Sequence, residues 1–394
     1  MSTPSATPPP VSGVPDSPDP SGPPTAATTG LQPLKVIGGA VGAAFTLWFM
    51  GNLFLAFAYY PQWFFDSKIL MAILALIVGV GGAAIFFWFL NMAIEGLPRS
   101  LEHGLMPYAF LLPGFSLIGL MLLYPTIQTI NYSFANRNST EYMDPPWANY
   151  TFLFQSSEFW SAIFNNVLWI AIVPAVTVAL GVIVAVLSDK LSAAGEKWSK
   201  SFIFLPMAIS FVAASAIWST TVYGYQPPGQ PQTAILNAMR TATGNEPLAW
   251  LSIDTGRLNS LLLMVILIWL QVGFAMVLLS SAIKGVPEDT IEAARIDGAS
   301  EFKIFFQVII PQIMGTIITV FITVLILVMK VFDIIYVLTN GRNNTDVIAN
   351  MFFREMFTNL QAGRATAIVV VLLVAILPVL IYQVRLFRQQ ESMR

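Results

Sequence analysis

Cysteine is absent from all 394 residues, which excludes disulfides, thiolate nucleophiles and cysteine-based metal sites. Histidine occurs once. His103 lies in a polar connection with neither a second histidine nor an acid-rich cluster beside it, so it reads as a solvated loop residue and not as a proton relay. Charge is scarce as well: Asp, Glu, Lys and Arg make up 10% of the chain, against roughly 25% in ordinary soluble domains. The net charge of -2 leaves no electrostatic footprint for nucleic acid. No Gly-Lys dipeptide occurs, so the chain has no phosphate-binding loop of the Walker type.

What the chain has is apolar length. Hydrophobic residues are 56% of it and the mean hydropathy is +0.70, which places it in a bilayer. About 20 apolar residues cross roughly 30 Å of hydrocarbon, and a scan on that basis finds eight spans, at 36–60, 69–94, 107–133, 161–187, 201–224, 258–283, 312–338 and 365–384. They are too long for barrel strands and lack period-two alternation, so helices are the reading. The expected fold is all-α, a polytopic membrane helical bundle in contact with lipid. Residues 1–33 hold ten of the 26 prolines, mixed with Ser, Thr, Gly and Ala and only two charges, Asp16 and Asp19. That composition predicts a disordered Pro-rich tail, and without a basic start or an apolar centre it does not read as a signal peptide.

Lys and Arg on alternate sides of the spans number 11 on the side of the N-terminus and 7 on the other, with Lys330 inside a span. The excess puts both termini in the cytoplasm. The two longer outside connections, around 136–160 and 226–257, are rich in Asn, Pro, Gly, Thr and acids, as loops that meet solvent or a soluble partner are.

On that orientation residues 286–311 form a polar island in the cytoplasm. Pro287 suits the first turn of a helix, Glu288 and Asp289 complement its positive end, and Gly298 supplies the freedom that ends it. Ser300 is placed to cap a second short helix through Phe302, Phe305 and Phe306 to Pro311. Ala293 and Ala294 leave a flat strip beside the Glu292 carboxylate, which suits docking of another protein. An interfacial connector lying in lipid normally has a basic polar face, whereas here Glu288, Asp289, Glu292, Asp297 and Glu301 outnumber Lys284, Arg295 and Lys303.

The run Glu292-Ala293-Ala294, three residues, Gly298, nine residues, Val308, one residue, Ile310-Pro311 resembles the Glu-Ala-Ala signature of the membrane permeases of bacterial ABC importers. Further stretches are similar, in order, to its carbohydrate branch, the maltose-type eight-span family. They are Leu111-Leu112-Pro113, Tyr124-Pro125, Trp147-Ala148-Asn149-Tyr150, Phe204-Leu205-Pro206, Phe332-Asp333 with Leu338-Thr339-Asn340-Gly341, and Gly363-Arg364-Ala365-Thr366-Ala367. The resemblance implies two extra N-terminal helices at 34–106, a six-helix transmembrane domain at 107–390, and a coupling helix in 286–311 that docks on an ATPase through Glu288, Glu292, Ala293, Ala294, Asp297 and Gly298. It implies two ATPase subunits that hold the ATP and Mg, a second permease and an extracytoplasmic binding protein as partners. This chain itself is then no enzyme and binds no cofactor, and it resides in the bacterial inner membrane. The family's large outside insertion after the third span is missing here, which leaves open how a binding protein is held.

Lys330 and Asp333 fall inside the seventh span, where a charge costs about 2.5–3.5 kcal/mol on insertion scales. Spaced i to i+3, they share a helix face and have the option of pairing with each other, or of facing a polar cavity and binding sugar hydroxyls. Alignment of 338–341 with the family implies that Lys330 and Val331 line the sugar site, with Trp269, Gln271 and Phe274 of the sixth span. Large aromatics also pack in bundles, and the Gln271 amide needs a partner that a neighbouring helix or a ligand can supply. The expected function is an ATP-driven importer permease for a di- or oligosaccharide or a glucoside. The alternatives are an ion-coupled secondary transporter with Lys330 and Asp333 as relay, and a membrane scaffold whose acidic island binds a cytosolic protein.

Overall fold

The computed structural model describes residues 31–392, so the expected disordered tail lies outside the described residues except for 31–33. The chain forms two compact units, one ending at Tyr124 and one beginning at Pro125.

In the first unit, α1 (Pro33–Tyr59) and α2 (Lys68–Glu95) make an antiparallel hairpin. Pro at its first position suits the start of α1, and the Ser67 hydroxyl caps α2 by accepting from the Leu70 N–H at 3.3 Å. The Gln32 N–H donates to the Gly96 carbonyl at 2.7 Å, which ties the start of α1 to the end of α2. Trp63 stacks on Tyr60 at 4.8 Å in the connection, where aromatic rings anchor a bilayer interface. α3 (Arg99–Ile118) follows almost at once, so His103 sits in a helix and not in the loop that its polar neighbours suggest.

α4 (Tyr124–Tyr132) leads into the second unit. There α5 (Ala148–Gln155) precedes α6 (Ser157–Asp189), which at 33 residues is about 50 Å long and outreaches the hydrocarbon core. α7 (Ala193–Phe204) and α8 (Phe211–Thr221) come next, then the short α9 (Ile235–Ala242) in the second long connection. α10 (Leu258–Lys284) is apolar on all sides and over half buried, as the central rod of a bundle must be. α11 (Glu288–Ile296), α12 (Glu301–Ile304) and α13 (Ile310–Gln312) make the polar island and its exit. α14 (Met314–Met329), α15 (Asp333–Leu338), α16 (Ile348–Phe353) and α17 (Ala362–Ser392) complete the chain.

Leu263, Met264 and Leu267 of α10 pack with Trp169 and Val173 of α6 and with Val324 and Val328 of α14 in the main core. Further along, Ala275, Met276 and Leu279 meet Val178, Val182 and Ala185 of α6 and Val320 of α14. α10 passes α7 so closely that a Cβ at Gly273 would collide with the Ile203 carbonyl oxygen and stand 2.6 Å from the Phe204 Cα.

Among the described residues, five helices are each long and apolar enough to cross a membrane, and the number reaches eight when three bent pairs are taken as one span each. The bends are the structure's main departure from eight straight spans. The fifth turns by 104° between Ala208 and Phe211, and the seventh by 70° at Ile313. The expected seventh span also unwinds again after Met329, so 312–338 is not one helix.

Candidate functional site

The polar island folds as helix, turn, helix. Pro287 stands just ahead of α11, at its N-cap, and Glu288 and Asp289 occupy the first turn. At the other end Gly298 takes φ +78, a left-handed conformation that costs a residue with a side chain roughly 1–2 kcal/mol. The turn it makes lets the Ala299 N–H reach back to the Ala294 carbonyl at 3.1 Å, and the Asp297 N–H to that of Ala293 at 3.0 Å. Ser300 then caps α12 through the Lys303 N–H at 3.4 Å, and Arg295 locks the elbow by donating to Glu301 at 2.8 Å. Glu288, Glu292, Ala293, Asp297 and Gly298 are exposed and Ala294 is half-buried. Beside them Ile296 is 86% and Phe302 74% exposed. Exposed apolar side chains rimmed by acids are a common feature of protein contact surfaces.

The second assembly lies where two breaks in the helices meet, in an open hollow bordered by exposed Ser210 and Lys330. The Ser210 hydroxyl starts α8 by accepting from the Ala213 N–H at 3.2 Å, immediately after the 104° bend. Opposite, α14 stops at Met329 because the backbone leaves the helical region at Lys330 (φ -112, ψ 23) and Phe332 (φ -142, ψ -57). Ser210, Phe211, Leu327, Gln271 and Asp333 line a cavity of 450 Å³. A neighbouring one of 330 Å³ shares Phe211, Leu327 and Asp333 and adds Lys330, Val331 and Phe332. Gln271 is 6% exposed, and its amide makes no hydrogen bond to any described residue. Such an amide, a lysine and a carboxylate beside an aromatic face are the donor and acceptor set that suits a polyhydroxylated ligand.

Of the six residues expected at a sugar site, Gln271 and Asp333 line the first cavity and Lys330, Val331 and Asp333 line its neighbour. Trp269 does not join them. It is two positions from Gln271, and residues at i and i+2 point to different sides of a helix. It packs edge-on to Trp218 at 5.7 Å and lines a separate apolar hollow with Phe202 and Pro206. Phe274, half-buried, packs with the cluster around Ala275 and Met276. Lys330 and Asp333 form no ion pair among the described residues, because the shared helix face that pairing needs is unwound between them. Ser210 and Phe211 escaped the sequence reading, although Pro206 followed by a Ser with cap chemistry inside one apolar run was the signal.

A third assembly ties together the far ends of the helices. α10 runs about 40 Å from there to the polar island. Asn165 of α6 donates to the carbonyls of Asn344 and Asp346, both at 2.7 Å, and Asn166 accepts from the Ile348 N–H at 2.9 Å. Arg257 holds Asn165 and Ser161, each at 3.1 Å, and Asn259 donates to the Asn343 carbonyl at 2.7 Å. Asn340, Asn343, Asn344 and Gly341 all have positive φ, the conformation Asn and Gly tolerate. At the centre the Asp346 carboxylate accepts from Arg354 and Asn350, each at 2.7 Å. Burial nevertheless pushes that carboxyl above its ordinary 3.8, against the pull of Asn350, Arg354 and the Val347 N–H.

A family model described as binding-protein-dependent transport system inner membrane component matches residues 177–390, which contain the elbow and every cavity residue named above. The alpha-glucoside transport system permease protein AglF of Rhizobium meliloti is 39% identical over 337 residues, 81% of this chain and 97% of its own length. The osmoprotective compounds uptake permease protein GgtC of Synechocystis is 44% identical over 285 residues, covering 72% of this chain and all of that one. Among solved structures, a chain from a bacterial alginate ABC transporter, crystallised with an alginate pentasaccharide-bound periplasmic protein, superposes with a TM-score of 0.61. The identity is 21%, over 72% of this chain and 94% of that one.

Proposed function

The chain belongs to the family of inner membrane components of binding-protein-dependent transport systems, and from that premise we propose that it carries a di- or oligosaccharide, or a glucoside, through the cavity around Gln271, Lys330 and Asp333. The observation that carries this is Gln271, 6% exposed, whose amide has no hydrogen-bond partner among the described residues and lines a cavity with Asp333, next to the cavity that Lys330 lines. A sugar offers hydroxyls to all three, and Phe211 and Phe332 offer ring faces to its apolar side. The name of one relative, for alpha-glucosides, supports a sugar cargo.

The energy enters elsewhere. With no phosphate-binding loop in the sequence, ATP and Mg belong to two separate ATPase subunits, and the exposed elbow of α11 with Ile296 and Phe302 is the surface they grip. A second permease completes the pathway, and a binding protein delivers cargo on the face of the Asn344 network. Both termini and the elbow then lie in the cytoplasm, in agreement with the Lys and Arg count. Family membership removes the ground for the ion-coupled and scaffold alternatives.

Co-purification in a gentle detergent tests the assembly: an ATPase and a second permease are expected with this chain. ATPase activity of that complex across a sugar panel tests the cargo. Stimulation by glucosides or oligosaccharides, with their binding protein present, is the expected result, and a flat response across the panel would sink the sugar assignment.

A further inference from the structure

A compact charge cluster joins three helices at the base of the bundle, next to the elbow, and neither the cavity nor the docking surface uses it. Lys200 of α7 contacts Asp189 of α6 at 2.8 Å and Glu196 at 2.5 Å, and donates to the Ser280 hydroxyl of α10. Ser280 in turn donates to Asp189 at 2.8 Å. Lys284, the last residue of α10, pairs with Glu196 and stands 3.8 Å from Asp189. Two cations thus meet two carboxylates and the cluster is neutral.

Three details set it apart from a static brace. Asp189 is the last residue of α6, where the helix dipole disfavours an anion, so its place there needs the cations around it. Its second oxygen, Oδ2, is buried with no hydrogen-bond partner, a costly state that an approaching donor would relieve. The nearest mobile donor is Lys284, which is 52% exposed on its side chain and only Gly285, Val286 and Pro287 away from α11. A movement of α11 is therefore passed to Lys284 through only three residues. A helix shift of about 1–2 Å, the ordinary size of such switches, separates the pairing with Glu196 from one with Asp189.

We propose that Lys284 is a coupling residue that hands over between Glu196 and Asp189 as α11 moves. Lys200 holds both carboxylates in place throughout and carries the change along α7, whose far end leads into the Ser210 break of the cavity. The inference rests on the permease reading above.

The test measures basal ATPase activity, without binding protein, in the assembled complex. Glu196→Gln weakens the arrangement in which Lys284 sits on α7, and Asp189→Asn weakens the other. The two variants are therefore expected to shift basal activity in opposite directions, by about tenfold relative to each other. In a Lys284→Met background, adding Glu196→Gln is expected to keep only the smaller effect of losing its pairing with Lys200, and Lys284→Arg is expected to behave as the parent. If Asp189→Asn fails to assemble, Ser280→Ala takes its place with the opposite sign: it removes a donor from the Asp189 carboxylate, favours Lys284 there, and is expected to shift activity in the same direction as Glu196→Gln. Shifts in one direction for Glu196→Gln and Asp189→Asn, opposite shifts for Glu196→Gln and Ser280→Ala, or full effects of Glu196→Gln without Lys284, overturn the handover and leave only a brace. A parent complex with neither ATP hydrolysis nor uptake would instead overturn the permease reading, and the handover with it.

Discussion

Gln271 is the residue on which the cargo site stands or falls. Its neighbours Ile268 and Leu270 are buried hydrophobic side chains with core partners, whereas Gln271 lines the cavity. A ligand hydrogen bond there is worth about 1–1.5 kcal/mol, so Gln271→Ala or Lys330→Ala is expected to weaken substrate-stimulated transport roughly tenfold while the complex still assembles. Loss of assembly in a pull-down would mark these side chains as packing. Asp346 gives a prediction of a different kind. Its folded-state carboxyl binds a proton more tightly than the unfolded chain does, because burial raises it above 3.8. Its contribution is then fully present below 3.8 and is lost as pH rises through the raised value. Asp346→Asn should flatten the fall in melting temperature across that acid window in detergent-purified protein, and an unchanged slope would contradict the assignment.

At the scale of elements, one buried side chain is the hub of the second long connection. Asn237 of α9 is fully buried and makes four hydrogen bonds: to the carbonyls of Gly224 and Leu248 at 2.8 and 3.0 Å, and from the Leu248 N–H and Trp250 Nε1 at 2.9 and 3.0 Å. Replacement by Leu strands two donors and two acceptors at about 1–3 kcal/mol for each group left buried. Asn237→Leu is expected to open 225–257 to limited proteolysis with the transmembrane helices intact; equal protease resistance would show that the loop is held some other way. The same loop shows where reading a sequence stops. Apolar length was enough to place the spans, and turn chemistry was enough to place α11, Gly298 and the Ser300 cap, because each depends on residues close in the chain. The break at Lys330 and the pin at Asn165 depend on what lies opposite. Asn165 meets partners nearly 180 positions away, and no local pattern announces them.

At the scale of the whole molecule, the orientation is open to a direct measurement, since the chain has no cysteine to remove. Single cysteines introduced at exposed Thr290 in α11 and exposed Gln230 in the second connection should react with a membrane-impermeant thiol reagent from opposite sides. In intact cells, labelling is expected at 230 and not at 290. The reverse pattern would place the elbow outside and refute the assignment of α11 to an ATPase.

The close passage of α10 over α7 at Gly273 has a mechanical meaning. The helix is fastened near one end by Arg257 and Asn259 and at the other by Lys284, and between them it touches the Ile203 and Phe204 backbone with no side chain in the way. That contact is a fulcrum. It divides the rod into arms of about 22 Å on the side of the Asn344 network and about 16 Å on the side of the elbow. A tilt begun by pushing on the short arm therefore reaches the opposite face of the membrane reversed in direction and enlarged by about the ratio of the arms.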